Sequence, residues 1–231
     1  FGSGVGDARR QAMEGIEFLL ERGCDGLMVM SNALLEQDIA SLGPKQAKLV
    51  ILNHYYRSIR EQCFSADHKQ GGRQAARALL DLKHRRFAII SGPSNYPDNI
   101  ARIDGFLGEL ERAGIARDKV PMVESDFSTE GGYESAAKLL KLRQKFSALF
   151  AANDEMAVGA ISYFQETGIA VPGDISVLGY DDTQTAEYSS PRLTTVHIPW
   201  REVTLNGLRW LLNRCYESSL PVERKYTIGL T

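Results

Sequence analysis

Short apolar runs alternate with stretches of helical periodicity along the whole chain. The clearest run spans residues 175–182, ISVLGYDD, which Gly173-Asp174 leads into and which stops abruptly at Gly179-Tyr180 and two carboxylates. A strand buried on both faces of a parallel sheet reads this way, with its carboxyl end opening into a polar region. Ligands of open α/β sheets bind outside the carboxyl ends of the strands. Asp181 is therefore the first candidate for function.

The remaining runs fall into register around it. Asp7 can cap a helix with Met13, Ile16, Leu19 and Leu20 along one face, stopped by Gly23. Strands are predicted over 26–30, 48–52 and 63–66, with a helix over 34–42. A helix from Gly71-Gly72 to Leu82 follows, then a strand over 87–90. Pro97 suits the first turn of a helix whose apolar face is Ile103, Phe106, Leu107 and Leu110. A strand near 121–124, a helix to about residue 142 and a strand over 148–152 come next. Asn153 then caps a helix that Gly168 ends. Beyond the ISVLGYDD strand lie a strand over 193–196, a helix from Trp200 to about Cys215 and a last strand near 224–228. This β-α-β-α alternation predicts parallel sheets with crossover helices. The strands are too many for one small sheet, so the predicted fold is α/β with two doubly wound lobes, divided near Ala66-Asp67.

Composition narrows the function. A net charge of −2 over 231 residues argues against a nucleic-acid footprint within this chain. The one basic cluster, Lys83-His84-Arg85-Arg86, reads as a solvated turn, and His68 and His84 read as surface residues. Three cysteines without metal-like spacing suit free thiols in a reducing cytosol. No apolar run is long enough for a membrane span. The chain opens without Met, so the lack of a visible signal peptide carries little weight. Gly2-Ser3-Gly4-Val5-Gly6 lacks the residues of a phosphate loop and is read as a loop leaving a truncated strand. GxSxG, HExxH and P-loop motifs are absent, and no enzyme, metal site or cofactor is expected.

Five predicted strands end in polar residues able to face one cleft, namely Asn53, the 91–102 segment, Phe127, Asn153 and Asp181. The guanidinium of Arg102 and the carboxylate of Asp181 suit a polyhydroxylated ligand, one as a planar donor fork and the other as an acceptor for two hydroxyls. Phe127 and Trp200 could stack on the C–H face of a sugar ring. Plainer roles stand beside these. Asn153 could be only a helix cap, Arg102 and Asp181 a structural ion pair, and Phe127 and Trp200 core. Asp98 could simply complement a helix dipole.

The series GGRQAARALLDLKHRRFAIISGP after Asp67, ARIDGF, DFSTEGGYESA, FSALFAANDEMAVGAI, VPGDISVLGYDD and SPRLTTVHIP resembles the lactose/galactose repressor (LacI/GalR) family of bacterial transcription regulators. The likeness covers nearly the whole chain, and Lys83 stands where the family usually has Gly. It implies a type I periplasmic-binding-protein architecture of two lobes joined by three crossovers, near Ala66-Asp67, Ile198-Pro199 and Pro221-Val222. The N-terminal lobe would be residues 1–66 plus 199–221, with its first strand and helix missing, and the C-terminal lobe 67–198 plus 222–231. The family's helix-turn-helix headpiece and hinge helix would lie outside this chain. Positions matching Arg102, Asn153 and Asp181 would contact an effector in an interlobe cavity, walled by those matching Phe127 and Trp200. Asn53 and Asp98 complete the candidate set. The expected protein is the effector-sensing core of a cytoplasmic homodimeric regulator that binds a small neutral sugar and reaches operator DNA through the missing headpiece. A periplasmic sugar-binding protein of a transport system is the alternative.

Overall fold

Apolar runs flanked by Gly, Pro and capping side chains fold into strands and helices largely where the sequence places them. The structure is a computed structural model and describes residues 5–142 and 144–231. In chain order the elements are α1 (Val5–Glu21), β1 (Leu27–Val29), α2 (Glu36–Ser41), β2 (Leu49–Leu52), β3 (Cys63–Phe64), α3 (His68–Asp81), β4 (Phe87–Ser91) and α4 (Pro97–Arg112). There follow β5 (Met122–Glu124), α5 (Thr129–Lys141), β6 (Ala148–Ala151), α6 (Asp154–Glu166), β7 (Ser176–Asp181), α7 (Gln184–Tyr188), β8 (Thr194–His197), α8 (Trp200–Tyr216) and β9 (Gly229–Leu230). The chain divides into two units, Phe1–Ala66 with Pro199–Thr227, and Asp67–Ile198 with Ile228–Thr231.

Two sequence expectations need correction at the carboxyl end. The last crossover falls after Thr227 rather than near Pro221-Val222, and the strand expected over 224–228 is irregular chain, with pairing only at Gly229–Leu230. Side chains hold this segment in the first unit. Arg224 lies 4.3 Å over the Phe64 ring and donates to the Cys63 carbonyl oxygen at 3.3 Å, while the Glu223 N–H donates to Asn206 Oδ1 at 2.8 Å.

The first unit is a parallel sheet in the order β1-β2-β3. Ile16 and Leu20 of α1 and Ile39 of α2 join Leu49 and Ile51 in one buried cluster, while Gly207 of α8 approaches Val50. At the amino end, Val5 and Gly6 are helical rather than part of the expected loop, and Gly2-Ser3-Gly4 lies outside the described residues. Asp7 is not the cap. It sits in the first turn, paired with Arg10 at 3.1 Å, and Leu19 points outward at 42% exposure.

The second unit has the strand order β5-β4-β6-β7-β8-β9, parallel except for the final antiparallel pair. From β4 the chain moves outward to β5, then returns to the other side of β4 as β6. The order therefore reverses between β4 and β6, the switch point at which a crevice opens beyond the strand ends. Every residue of β4 (FAIIS) and β6 (ALFA) is buried, as two covered faces require. Helices α3 and α4 cross closely because Gly72 faces the Arg102 carbonyl and Gly105 the Lys69 carbonyl, where no side chain fits. Beneath them the Phe106 and Phe150 rings stack at 4.5 Å. Asp67, Ser128 and Asn153 cap α3, α5 and α6, each side chain accepting a backbone N–H of the first turn.

Lys83, just past α3, has φ +69, the left-handed conformation that favours glycine. Its side chain is exposed, so nothing in the interior compensates. Lys83→Gly is expected to stabilise the protein by about 0.5–1 kcal/mol, since relief of the Cβ clash outweighs the added freedom of the unfolded chain. Urea denaturation measures this, and a loss of stability would contradict it.

Candidate functional site

The switch point of the second unit gathers charged and aromatic groups from three strand ends. Pro97 starts α4, which places Asp98 in its first turn and Arg102 one turn later on the same face. The Arg102 side chain is 4% exposed and reaches across the ends of β6 and β7. Its Nη1 donates to the Ala152 carbonyl oxygen and, at 3.3 Å, to Asp181 Oδ2. Its Nη2 lies 3.0 Å from Asp181 Oδ1 and 3.4 Å from Asp98 Oδ2. The guanidinium carbon sits 4.1 Å above the centre of the Tyr180 ring, so one face of the cation rests on an aromatic. The Tyr180 hydroxyl in turn lies 3.3 Å from His68 Nδ1.

Arg102 and Asp181 therefore converge, as the sequence requires, but they touch directly. The fork expected to face a ligand is committed to Asp181, Asp98 and a backbone carbonyl. The less buried member of the pair is Asp181, at 21% side-chain exposure, although its Oδ1 is itself buried. Asp181 closes β7 with φ +106, a strained value for a residue with a Cβ, and such outliers concentrate at functional sites. Burial pushes its pKa up to about 6, against the downward pull of Arg102.

Phe127 follows β5 with φ +68, and its carbonyl accepts from Asn153 Nδ2 at 2.9 Å. The ring meets Tyr96 edge-on at 5.5 Å. Asn153 combines the cap and this tether, since its Oδ1 accepts from the Met156 N–H while Nδ2 also lies 3.1 Å from Glu155. The other two candidates belong to the first unit. Asn53 follows β2 with φ +58, and its N–H donates to the Phe64 carbonyl oxygen at 2.9 Å, while Trp200 opens α8 half-buried.

The adjacent acids Asp154-Glu155 and Asp181-Asp182 diverge, as neighbours on a strand or helix do. Asp154 is fully buried and accepts from Thr195 Oγ1 at 2.5 Å, the Thr183 N–H at 2.7 Å and Thr183 Oγ1 at 3.1 Å, pinning the turn after β7 to β8. Asp182 bonds His197 at 2.7 Å and Thr231 at 2.9 Å. It lines a separate surface cavity of about 380 Å³ with Glu187 and Arg192.

Two residues of the cluster escape sequence reasoning. Tyr180 is hidden inside an apolar run, although a tyrosine immediately before Asp181 is a usable signal. His68 reads as a surface residue and is instead 5% exposed, held neutral by a pKa lowered to about 3, chiefly through burial. His84 is half-buried rather than exposed and lies between Ser147 Oγ at 2.8 Å and Ser176 Oγ at 3.1 Å. Among the described residues no cluster has the donors of a metal site.

Residues 76–230 match the family model of the periplasmic binding protein-like domain. A crystal structure of a LacI-family transcriptional regulator from Burkholderia phymatum is 47% identical, superimposes with a TM-score of 0.90, and is matched over 96% of this chain and 81% of that one. The chain belongs to the LacI family of transcriptional regulators. The LacI-family regulator of Enterococcus faecium crystallised with ribose is 31% identical at a TM-score of 0.82, covering 94% of this chain and 81% of that one. Among curated proteins, the transcriptional repressor PurR of Vibrio atlanticus is 34% identical over 201 residues, 86% of this chain and 60% of its own length. The chain thus spans about three fifths of the length of curated LacI-family relatives. These relatives are regulators rather than enzymes, and membership sets aside the transport-receptor alternative.

Proposed function

We propose that this chain is the part of a LacI-family regulator that senses a small neutral sugar, with Asp181 as its principal hydroxyl acceptor. The observation that carries the reading is Asp181 at a switch point, its backbone strained and its side chain still 21% exposed while Arg102 holds its carboxylate. A carboxylate so held accepts from two neighbouring hydroxyls without reorganising. Phe127 offers an aromatic face for the ring's C–H groups. Asp98, Asp181 and Arg102 sum to one excess negative charge, which favours neutral ligands over phosphorylated ones. The sugar shifts the regulator between states only by its differential affinity for them.

We further propose that operator DNA is contacted by a part of the regulator outside residues 1–231, that the protein works as a cytoplasmic homodimer, and that no cofactor takes part. The net charge of −2 supports the first point. Among the described residues no helix is long and apolar enough to cross a membrane.

A thermal-shift panel of D-ribose, D-glucose, D-galactose, cellobiose and D-glucose 6-phosphate tests the reading. A neutral sugar at about a hundred times its Kd adds roughly 2.7 kcal/mol, a rise in Tm of several degrees. The phosphate ester is expected to do less than glucose. A response to the phosphorylated sugar alone would overturn the proposal.

A further inference from the structure

The loop after β4 is held with unusual completeness. Asn99, in the first turns of α4, is 2% exposed. Its Oδ1 accepts from the Gly92 N–H at 3.0 Å, and its Nδ2 hydrogens are shared among Ser91 Oγ at 3.1 Å, the Gly92 carbonyl oxygen at 3.0 Å and the Pro93 carbonyl oxygen at 3.2 Å. Ser91 Oγ adds a bond to the Gly92 carbonyl oxygen at 2.8 Å. One carboxamide thus satisfies both backbone groups of Gly92, and the loop cannot retreat without leaving buried polar atoms unpaired.

The Phe127 ring lies directly on that pinned glycine, in the volume a Cβ on Gly92 would occupy. At its other end Phe127 is fixed by its left-handed backbone and by the Asn153 bond to its carbonyl. The tip of the ring, Cζ with Cε1 and Cε2, therefore rests on a floor that does not yield, while its backbone root is held.

We propose that Gly92 is a specificity-determining residue and Asn99 the positioning residue behind it. Together they set how far the Phe127 ring stands out from the loop, and so which sugar faces the site accepts. The inference rests on the sugar-sensing reading above. A methyl group at position 92 drives the ring tip away from the loop, because the loop beneath is fixed, and the ring's surroundings are reshaped while the fold is kept.

The test uses Gly92→Ala, Phe127→Ala and the double variant, with D-ribose, D-glucose, D-galactose and cellobiose as calorimetric probes, together with a crystal structure of Gly92→Ala. Gly92→Ala is expected to weaken the sugar that binds the parent by at least tenfold. On the Phe127→Ala background the same change is expected to cost less than twofold, because the ring through which it acts is gone. General destabilisation would not produce that dependence on Phe127. In the crystal structure the ring is expected to be displaced over an unmoved 91–93 backbone. Parent-like binding by Gly92→Ala, an equal loss in both backgrounds, or a shifted loop under an unmoved ring would each overturn the inference. Should none of the four sugars bind the parent, the sugar reading fails, while the crystal structure still decides whether Gly92 and Asn99 place the ring.

Discussion

Arg102→Ala is expected to destabilise the second unit by about 3–5 kcal/mol and to abolish sugar binding. The guanidinium is nearly inaccessible and stands between two carboxylates, with side chains 10% exposed for Asp98 and 21% for Asp181. Removing it leaves both acids facing each other without compensation, and breaking a buried pair from one side costs far more than the pair contributes. The Ala152 carbonyl also loses its Arg102 donor, and the Tyr180 ring loses the cation it supports. Arg102→Lys is expected to recover only part of this, because an ammonium cannot span Ala152, Asp98 and Asp181 at once or lie flat on a ring. Chemical denaturation measures the effect. The penalty is expected to shrink at acid pH, where Asp181 is protonated and repels Asp98 less. An Arg102→Ala protein as stable as the parent would show that the cluster is not held by this cation.

Asp181→Asn separates binding from stability. The amide keeps the shape and can still accept from Arg102, but it is a weaker acceptor for hydroxyls. Affinity for a neutral sugar is expected to fall by about 2–4 kcal/mol, roughly 30- to 700-fold. Stability is expected to move the other way with pH. The folded pKa of Asp181 is raised to about 6 by burial, so the fold favours its neutral form. That contribution is fully present below the ordinary carboxylate value near 4 and is lost as pH rises through about 6. The uncharged amide of the variant carries no such penalty. Between about pH 4 and pH 7 the stability difference is therefore expected to shift toward the variant by roughly 2–3 kcal/mol. Parallel urea titrations of the two proteins check the sign, and a shift toward the parent would mean that Arg102 outweighs desolvation.

Much of this architecture is legible in the sequence because strands covered on both faces must be apolar. FAIIS, ALFA and SVLGY announce themselves by lacking charged residues, and the break from Tyr180 to Asp181 marks the mouth of the crevice. The convergence of Arg102 and Asp181 is legible too, since one lies in the helix after β4 and the other ends β7, strands whose carboxyl ends a doubly wound sheet brings together. The state of the fork is not. Its Nη donors are taken by Asp181, Asp98 and the Ala152 carbonyl, and a backbone acceptor leaves no mark in composition. His68 looks like a surface residue in the sequence because its burial comes from Tyr180, 112 positions away, not from its neighbours in the chain. The stretch before Ile228 reads as a strand, yet its partners are long-range side-chain contacts to Phe64, Cys63 and Asn206.

The most direct measurement of the central claim is calorimetric titration of D-ribose, D-glucose, D-galactose and cellobiose into the parent and into Asp181→Asn at about pH 7.5. At least one sugar is expected to bind the parent and to bind the asparagine variant at least tenfold more weakly. Equal affinity for both proteins, or no heat from any of the four with the parent, would contradict the assignment of the Asp181 carboxylate as the group that reads the ligand.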